Sequence, residues 1–304
     1  MQNKYLYSLC MLLIIGALVV GATLILKNEE TKEKEETDLT VVTSFYPMYV
    51  MVDNLTEGVE GIRLQNLSEP ETGCLHDFTL TPEDMKLLST ADVFVINGSG
   101  AESFLEDVMK AYPKLACVNA TEELEGLSEE VGMHAWLSSK LYAKEIRQVA
   151  KGLKALCPSA SEQITRNEKA YLSKVKEIRD LAKEVKAQLK DKDISEVILF
   201  SEAYMGLAEE LCLKTVCLLD LDEERQVSSG EVAEVMDAVA NHPKSFLIAE
   251  DPYGKDTAET VKRQTGIPVL YLDTLTRGSY EKDRYIVGMK KNLETIREVI
   301  HEIN

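Results

Sequence analysis

The chain has 304 residues, 45% hydrophobic and only 6% aromatic, and its 34 Lys and Arg against 52 Asp and Glu give a net charge of −18. A protein this acidic repels phosphate backbones, and no basic patch is concentrated enough to offset that, so nucleic-acid binding is excluded. Charged residues at an ordinary 28% argue against disorder, and the length fits one large domain or two of moderate size.

The first element is a membrane signal. Tyr5 to Leu26 carries no charge, and about 22 residues rising 1.5 Å each cross a hydrocarbon core as a helix. Val20-Gly21-Ala22 offers a small-residue cleavage site, but the run is longer than a usual signal-peptide core. Residues 1–26 are therefore expected to be an anchor, with a cleaved signal as the alternative. Residues 27–38 mix lysines with Glu29, Glu30, Glu33, Glu35, Glu36 and Asp38 and lack any large apolar side chain, which makes a charged tether. Lone Lys4 ahead of the run and acid behind it place the body outside the membrane.

From Leu39 the chain alternates β-branched runs with amphipathic stretches. Leu39 to Ser44, Gly61 to Leu64, Asp92 to Asn97 and Leu115 to Val118 read as buried strands. Between them, Thr81 caps a helix beginning at Pro82, with Asp84 closing a short capping box, and Ala101 to Ala111 follows the Asn97-Gly98-Ser99-Gly100 turn. Such alternation builds βαβ units around a parallel sheet. From Ser159 to about Lys190 there is neither Gly nor Pro. Ile164, Tyr171, Val175, Ile178, Ala182, Val185 and Leu189 recur there at helical spacing, so one long helix of roughly 45 to 50 Å is expected after Pro158. Strands then resume at Glu196 to Phe200, Lys214 to Leu219, Ser245 to Ala249 and Ile267 to Leu272, with helices from Ala203, Ser229, Asp256 and Glu281. The fold class expected is α/β: a lobe over 39–157, a linking helix over 158–192 and a second lobe over 193–304, with ligands held in the cleft between them.

Six cysteines, Cys10, Cys74, Cys117, Cys157, Cys212 and Cys217, show no metal-finger spacing and read as buried thiols, the pairing of Cys212 with Cys217 staying open. Of the four histidines, His242 and His301 sit in polar surroundings and read as solvated. His76 lies in a loop ahead of the Pro82 helix, and His134 stands just before the helix that Ser138 caps. In the second half, Glu202 and Asp273 fall at carboxyl ends of strands. Two imidazoles from one lobe and two carboxylates from the other would enclose a divalent ion. Glu250, another acid at a strand end, reads as a hydrogen-bond acceptor beside that site.

These segments carry a resemblance. Thr43-Ser44-Phe45-Tyr46-Pro47, His76-Asp77-Phe78 with Thr81-Pro82, Ala91 to Gly100 with Glu102, His134-Ala135-Trp136-Leu137-Ser138, the long helix, Phe200-Ser201-Glu202-Ala203-Tyr204 and Gly266-Ile267-Pro268-Val269 with Leu272-Asp273 stand in an order similar to the metal-binding subunits of bacterial ABC importers for zinc and manganese. The resemblance covers the body from about Leu39 to Asn304. It implies the metal ligands His76, His134, Glu202 and Asp273, Zn2+ or Mn2+ as transported cargo, and an ABC permease with its ATPase as partners. It further implies an extracytoplasmic location, a monomer and no enzymatic activity. Zinc-specific members usually have a histidine where Glu202 stands and a His-rich loop after His76; both are missing here, and the choice of ion stays open. Cys10 does not fit the lipid-bearing cysteine of Gram-positive relatives. Three alternatives make different demands. A binder of iron chelates or cobalamin needs aromatics and arginines in the cleft, a metal-dependent hydrolase needs an open coordination position, and an adhesin needs a host protein.

Overall fold

The computed structural model describes residues 39–303 apart from Cys74, His76, Asp77, 222–226 and 251–252. The expected anchor over 1–26 and tether over 27–38 thus lie outside the described residues. Among the described residues, no helix is long and apolar enough to cross a membrane.

Two four-stranded sheets organise the unit formed by Thr40–Asn304. The first contains β1 (Leu39–Thr43), β2 (Ile62–Asn66), β3 (Val93–Ile96) and β4 (Ala116–Asn119) in the order β2-β1-β3-β4. Strand β3 runs parallel to both β1 and β4, with Val41 beside Val93 and Val95 beside Val118. The second contains β5 (Glu196–Leu199), β6 (Lys214–Leu218), β7 (Phe246–Glu250) and β8 (Val269–Leu272) in the equivalent order β6-β5-β7-β8, and its three pairings are also parallel. The central strands are apolar along their length, with Val41, Val42, Phe94, Val95, Ile198, Leu199 and Leu247 wholly buried. Because the chain leaves the first strand of each sheet first to one side and then to the other, a crevice opens beyond the carboxyl ends of β1 and β3, and again beyond β5 and β7.

Ten helices cover these sheets among the described residues: α1 (Tyr46–Leu55), α2 (Pro82–Ser89), α3 (Leu105–Ala111), α4 (Glu129–Met133), α5 (Ser139–Leu156), α6 (Ser161–Asp191), α7 (Met205–Glu210), α8 (Ser229–Asn241), α9 (Lys255–Thr265) and α10 (Arg284–Val299). Helix α6 has 31 residues, roughly 46 Å at 1.5 Å per residue. Its buried residues are the seven that the sequence periodicity picks out, from Ile164 to Leu189. Pro158, which lacks an N–H, opens a 3-10 turn just before it. Against α6 pack α5 and α10. The Tyr142 and Tyr171 hydroxyls meet at 3.0 Å, and Tyr142 stacks on Tyr285 with ring centroids 3.7 Å apart.

Several element starts differ from expectation for local reasons. Helix α3 begins at Leu105, four residues after Ala101, because Glu102 turns inward: its carboxylate accepts from the Asn97 and Gly98 amides at 2.8 and 2.9 Å and from the Ser44 hydroxyl at 2.7 Å. Pro268 has no N–H to give the sheet, and β8 starts after it, at Val269. The last helix starts at Arg284, three residues beyond Glu281. The Thr81 capping box forms as expected. His242 is half-buried with Nδ1 2.9 Å from Glu196, a paired group rather than a solvated one, while His301 is exposed. Cys212 and Cys217 are separate free thiols, and the expected burial does not hold for the described cysteines: Cys117 and Cys212 are exposed, Cys157 and Cys217 only half-buried.

Candidate metal centre

Four positions were expected to converge, and the described residues contain three of them. His76 lies outside the described residues, as do Cys74 and Asp77. The chain beside them is fixed: Leu75 is buried, Phe78 packs against Phe104 at 5.5 Å, and the space a Cβ of Gly73 would need is filled by the Arg277 guanidinium.

His134 is the C-cap residue of the short helix α4 and leads into a 3-10 turn over Ala135–Leu137. Its side chain is only 2% exposed. Nδ1 donates to the Glu130 carbonyl at 3.1 Å. A carbonyl can only accept, so the proton of the neutral ring sits on Nδ1 and the ring's lone pair on Nε2, the atom with which such a tautomer could ligate an ion. Glu202, 18% exposed, opens the 3-10 turn beyond β5 and lies at the crevice between β5 and β7. Its Oε1 is 4.0 Å from His134 Nδ1, so the imidazole of the first lobe and the carboxylate of the second are adjacent.

Asp273 follows β8, and its peptide is gripped on both sides. The Asp273 amide donates to Asn292 Oδ1 at 2.9 Å, and Asn292 Nδ2 donates back to the Asp273 carbonyl at 2.8 Å. Tyr204, two residues after Glu202, donates its hydroxyl to the Leu272 carbonyl at 2.7 Å. Trp136, two residues after His134, donates its indole N–H to the Thr274 carbonyl at 2.8 Å. The side chain of Asp273 is turned to other partners: Oδ1 accepts from the Leu275 amide at 2.8 Å and Oδ2 from Arg284 at 2.5 Å. His134 and Glu202 are thus brought together, Asp273 is tied to both through neighbouring backbone, and no three described His, Cys, Asp or Glu residues form a ready-made metal cluster.

Glu250 ends β7 as an acceptor, taking the Thr274 hydroxyl at 2.8 Å and Arg277 Nη1 at 3.4 Å. Arg277 also donates to the Glu71 carbonyl at 3.3 Å and lies over the Tyr253 ring, joining the second lobe to the segment that leads to His76. Trp136 and Tyr204 stand in the sequence only as members of the His134–Ser138 and Phe200–Tyr204 segments, with no role of their own, and Asn292, Arg277 and Arg284 are not singled out there. Of these last three, Asn292 alone leaves a local trace, an amide on the apolar face of α10 among Tyr285, Met289 and Ile296.

A family model described as ZnuA, zinc-uptake complex component A, periplasmic, matches residues 41–299. The high-affinity zinc uptake system protein ZnuA of Bacillus subtilis is 26% identical, with 93% of this chain and 96% of the relative covered. The manganese-binding lipoprotein MntA of Halalkalibacterium halodurans is 23% identical over 88% of this chain and 90% of its own length. Among solved structures, the Pseudomonas aeruginosa protein FpvC in complex with Ni2+ superposes with a TM-score of 0.76 at 23% identity, over 88% of this chain and 98% of that one. The likeness to FpvC is one of fold.

Proposed function

Because the chain belongs to the family of the periplasmic component A of zinc-uptake complexes, we propose that it captures a single Zn2+ or Mn2+ ion outside the membrane and delivers it to the permease and ATPase of an ABC importer. The ion is cargo, and no reaction follows its capture. His76 and His134 from the lobe over 39–157, and Glu202 and Asp273 from the lobe over 193–304, are its ligands. Imidazole nitrogens and carboxylate oxygens bond such ions at about 2.0 to 2.2 Å. Residues 1–26 hold the protein, a monomer, at the membrane. Release follows docking on the permease through a small tilt of the lobes, since a continuous helix over the 158–192 link resists bending.

The observation that carries this reading is the meeting of His134 and Glu202 across the lobes, with Trp136 and Tyr204 fastening their segments to the carbonyls of Thr274 and Leu272, the two residues that flank Asp273. Metal analysis of the purified protein tests it. The wild type should retain a stoichiometric divalent ion, and Glu202→Ala should lose it or bind it at least about tenfold more weakly while staying folded. Unchanged stoichiometry and affinity in Glu202→Ala would remove that carboxylate from the centre.

A further inference from the structure

Arg284 stands at the first position of α10, where the helix dipole favours acids, and the first turn of that helix has none. A cation at this end is locally unfavourable, so something else must hold it. The structure around it is fitted to the guanidinium. A Cβ on Gly278 would stand 2.8 Å from Arg284 Nε, and one on Gly288 would stand 2.6 Å from its Nη1, so the side chain runs through a slot that two glycines leave open. Gly278 also has φ +136°, which favours glycine on backbone grounds. From this slot Nη2 donates to Asp273 Oδ2 at 2.5 Å and to the Arg277 carbonyl at 3.2 Å. The arginine side chain is 20% exposed and the aspartate 37%.

Resting on the metal-capture reading above, we propose that Arg284 is a specificity-determining residue: as the resident counter-ion of Asp273 it makes metal capture a competition between cations and weights the centre toward Zn2+ over Mn2+. A carboxylate oxygen has two lone-pair positions, so Asp273 can still reach an ion while bonded to Arg284 and Leu275. The attraction is nevertheless reduced, because at Asp273 the ion meets a neutral Asp–Arg pair where a lone aspartate would offer a full negative charge. Mn2+ relies on hard carboxylate oxygens, whereas Zn2+ takes much of its binding from imidazole, so the same neutralisation costs Mn2+ more.

The test measures Zn2+ and Mn2+ affinity by chelator competition on metal-stripped protein, with thermal unfolding of each metal-free variant as the check on folding. Arg284→Met should bind Mn2+ at least about tenfold more tightly and gain less for Zn2+, lowering the ratio of zinc to manganese affinity. Arg284→Gln, which keeps a donor for the slot, should do the same if the methionine variant folds poorly, and Arg284→Lys, which keeps the charge, should show no such gain. The gain should vanish in Arg284→Met combined with Asp273→Asn. Manganese affinity that is unchanged or weaker in both charge-removing variants would overturn the inference, as would an Asp273→Asn protein with wild-type affinity for both ions. A wild-type protein that binds neither ion would instead end the metal-capture reading, and the inference with it.

Discussion

Glu145, on α5, is wholly buried, and neither carboxyl oxygen has a hydrogen-bond partner among the described residues. Burial, reinforced by the nearby Glu102 carboxylate, pushes its pKa from 4.5 up to about 8. At pH 7 the group is therefore protonated in the folded protein and ionised in the unfolded chain. An acid with a raised folded pKa favours the fold fully below about pH 4.5 and loses that contribution as pH climbs toward 8. Glu145→Met removes the titration along with an unsatisfied polar group. Urea unfolding of metal-free protein should show the variant gaining on the wild type between pH 5 and pH 7.5, by up to about 1.4 kcal/mol per pH unit. Parallel pH profiles for the two proteins would contradict the assignment. Glu102 shows the other solution for a buried acid, three donors around one carboxylate, and in doing so it occupies the crevice beyond β1 and β3 with a group of the protein's own.

At the scale of elements, the start of α5 is a joint between the lobes. Ser138 caps the helix by accepting from the Leu141 amide, and its hydroxyl donates to Glu210 at 2.8 Å; Ser139 donates to the other Glu210 oxygen at 2.6 Å. Glu210 is the last residue of α7, the helix that follows Glu202. The carboxylate thus sits at a helix N-terminus, where the dipole stabilises it, and links the element after His134 to the element after Glu202. Glu210→Ala should cost about 1.5 to 3 kcal/mol of unfolding free energy, with a smaller loss for Glu210→Gln, measured by chemical denaturation. A loss below about 0.5 kcal/mol, the usual scatter for surface substitutions, would mean that water replaces the carboxylate without penalty.

For the whole molecule, cargo that draws on both lobes must stabilise the folded state against the unfolded chain. At a metal concentration a hundred times the dissociation constant the gain is about 2.7 kcal/mol. A clear rise in melting temperature on adding Zn2+ or Mn2+ to stripped protein is the expected result, and the rise should be absent in Glu202→Ala. A rise of equal size in that variant would place the stabilising ion elsewhere. The two sheets share one strand order, and the tyrosines of α5, α6 and α10 interlock beside the long helix.

Much of this architecture is written in local pattern. Each apolar position on α6 is buried because a helix facing a core repeats every three or four residues, and that period is visible in the chain itself. The strands, the Thr81 capping box and the strand-end position of Glu202 are legible for the same reason: they depend on neighbours within a few residues. The inward turn of Glu102 that delays α3, the grip of Asn292, Trp136 and Tyr204 on the peptides around Asp273, and the pairing of Asp273 with Arg284 were decided by the tertiary structure. These contacts join residues that no periodicity relates, and they form only once folding brings distant backbone and side chains within hydrogen-bonding range. The sequence by itself therefore determined which groups could serve a metal ion, and the packing of the lobes decided which of their oxygens and nitrogens are already engaged when one arrives.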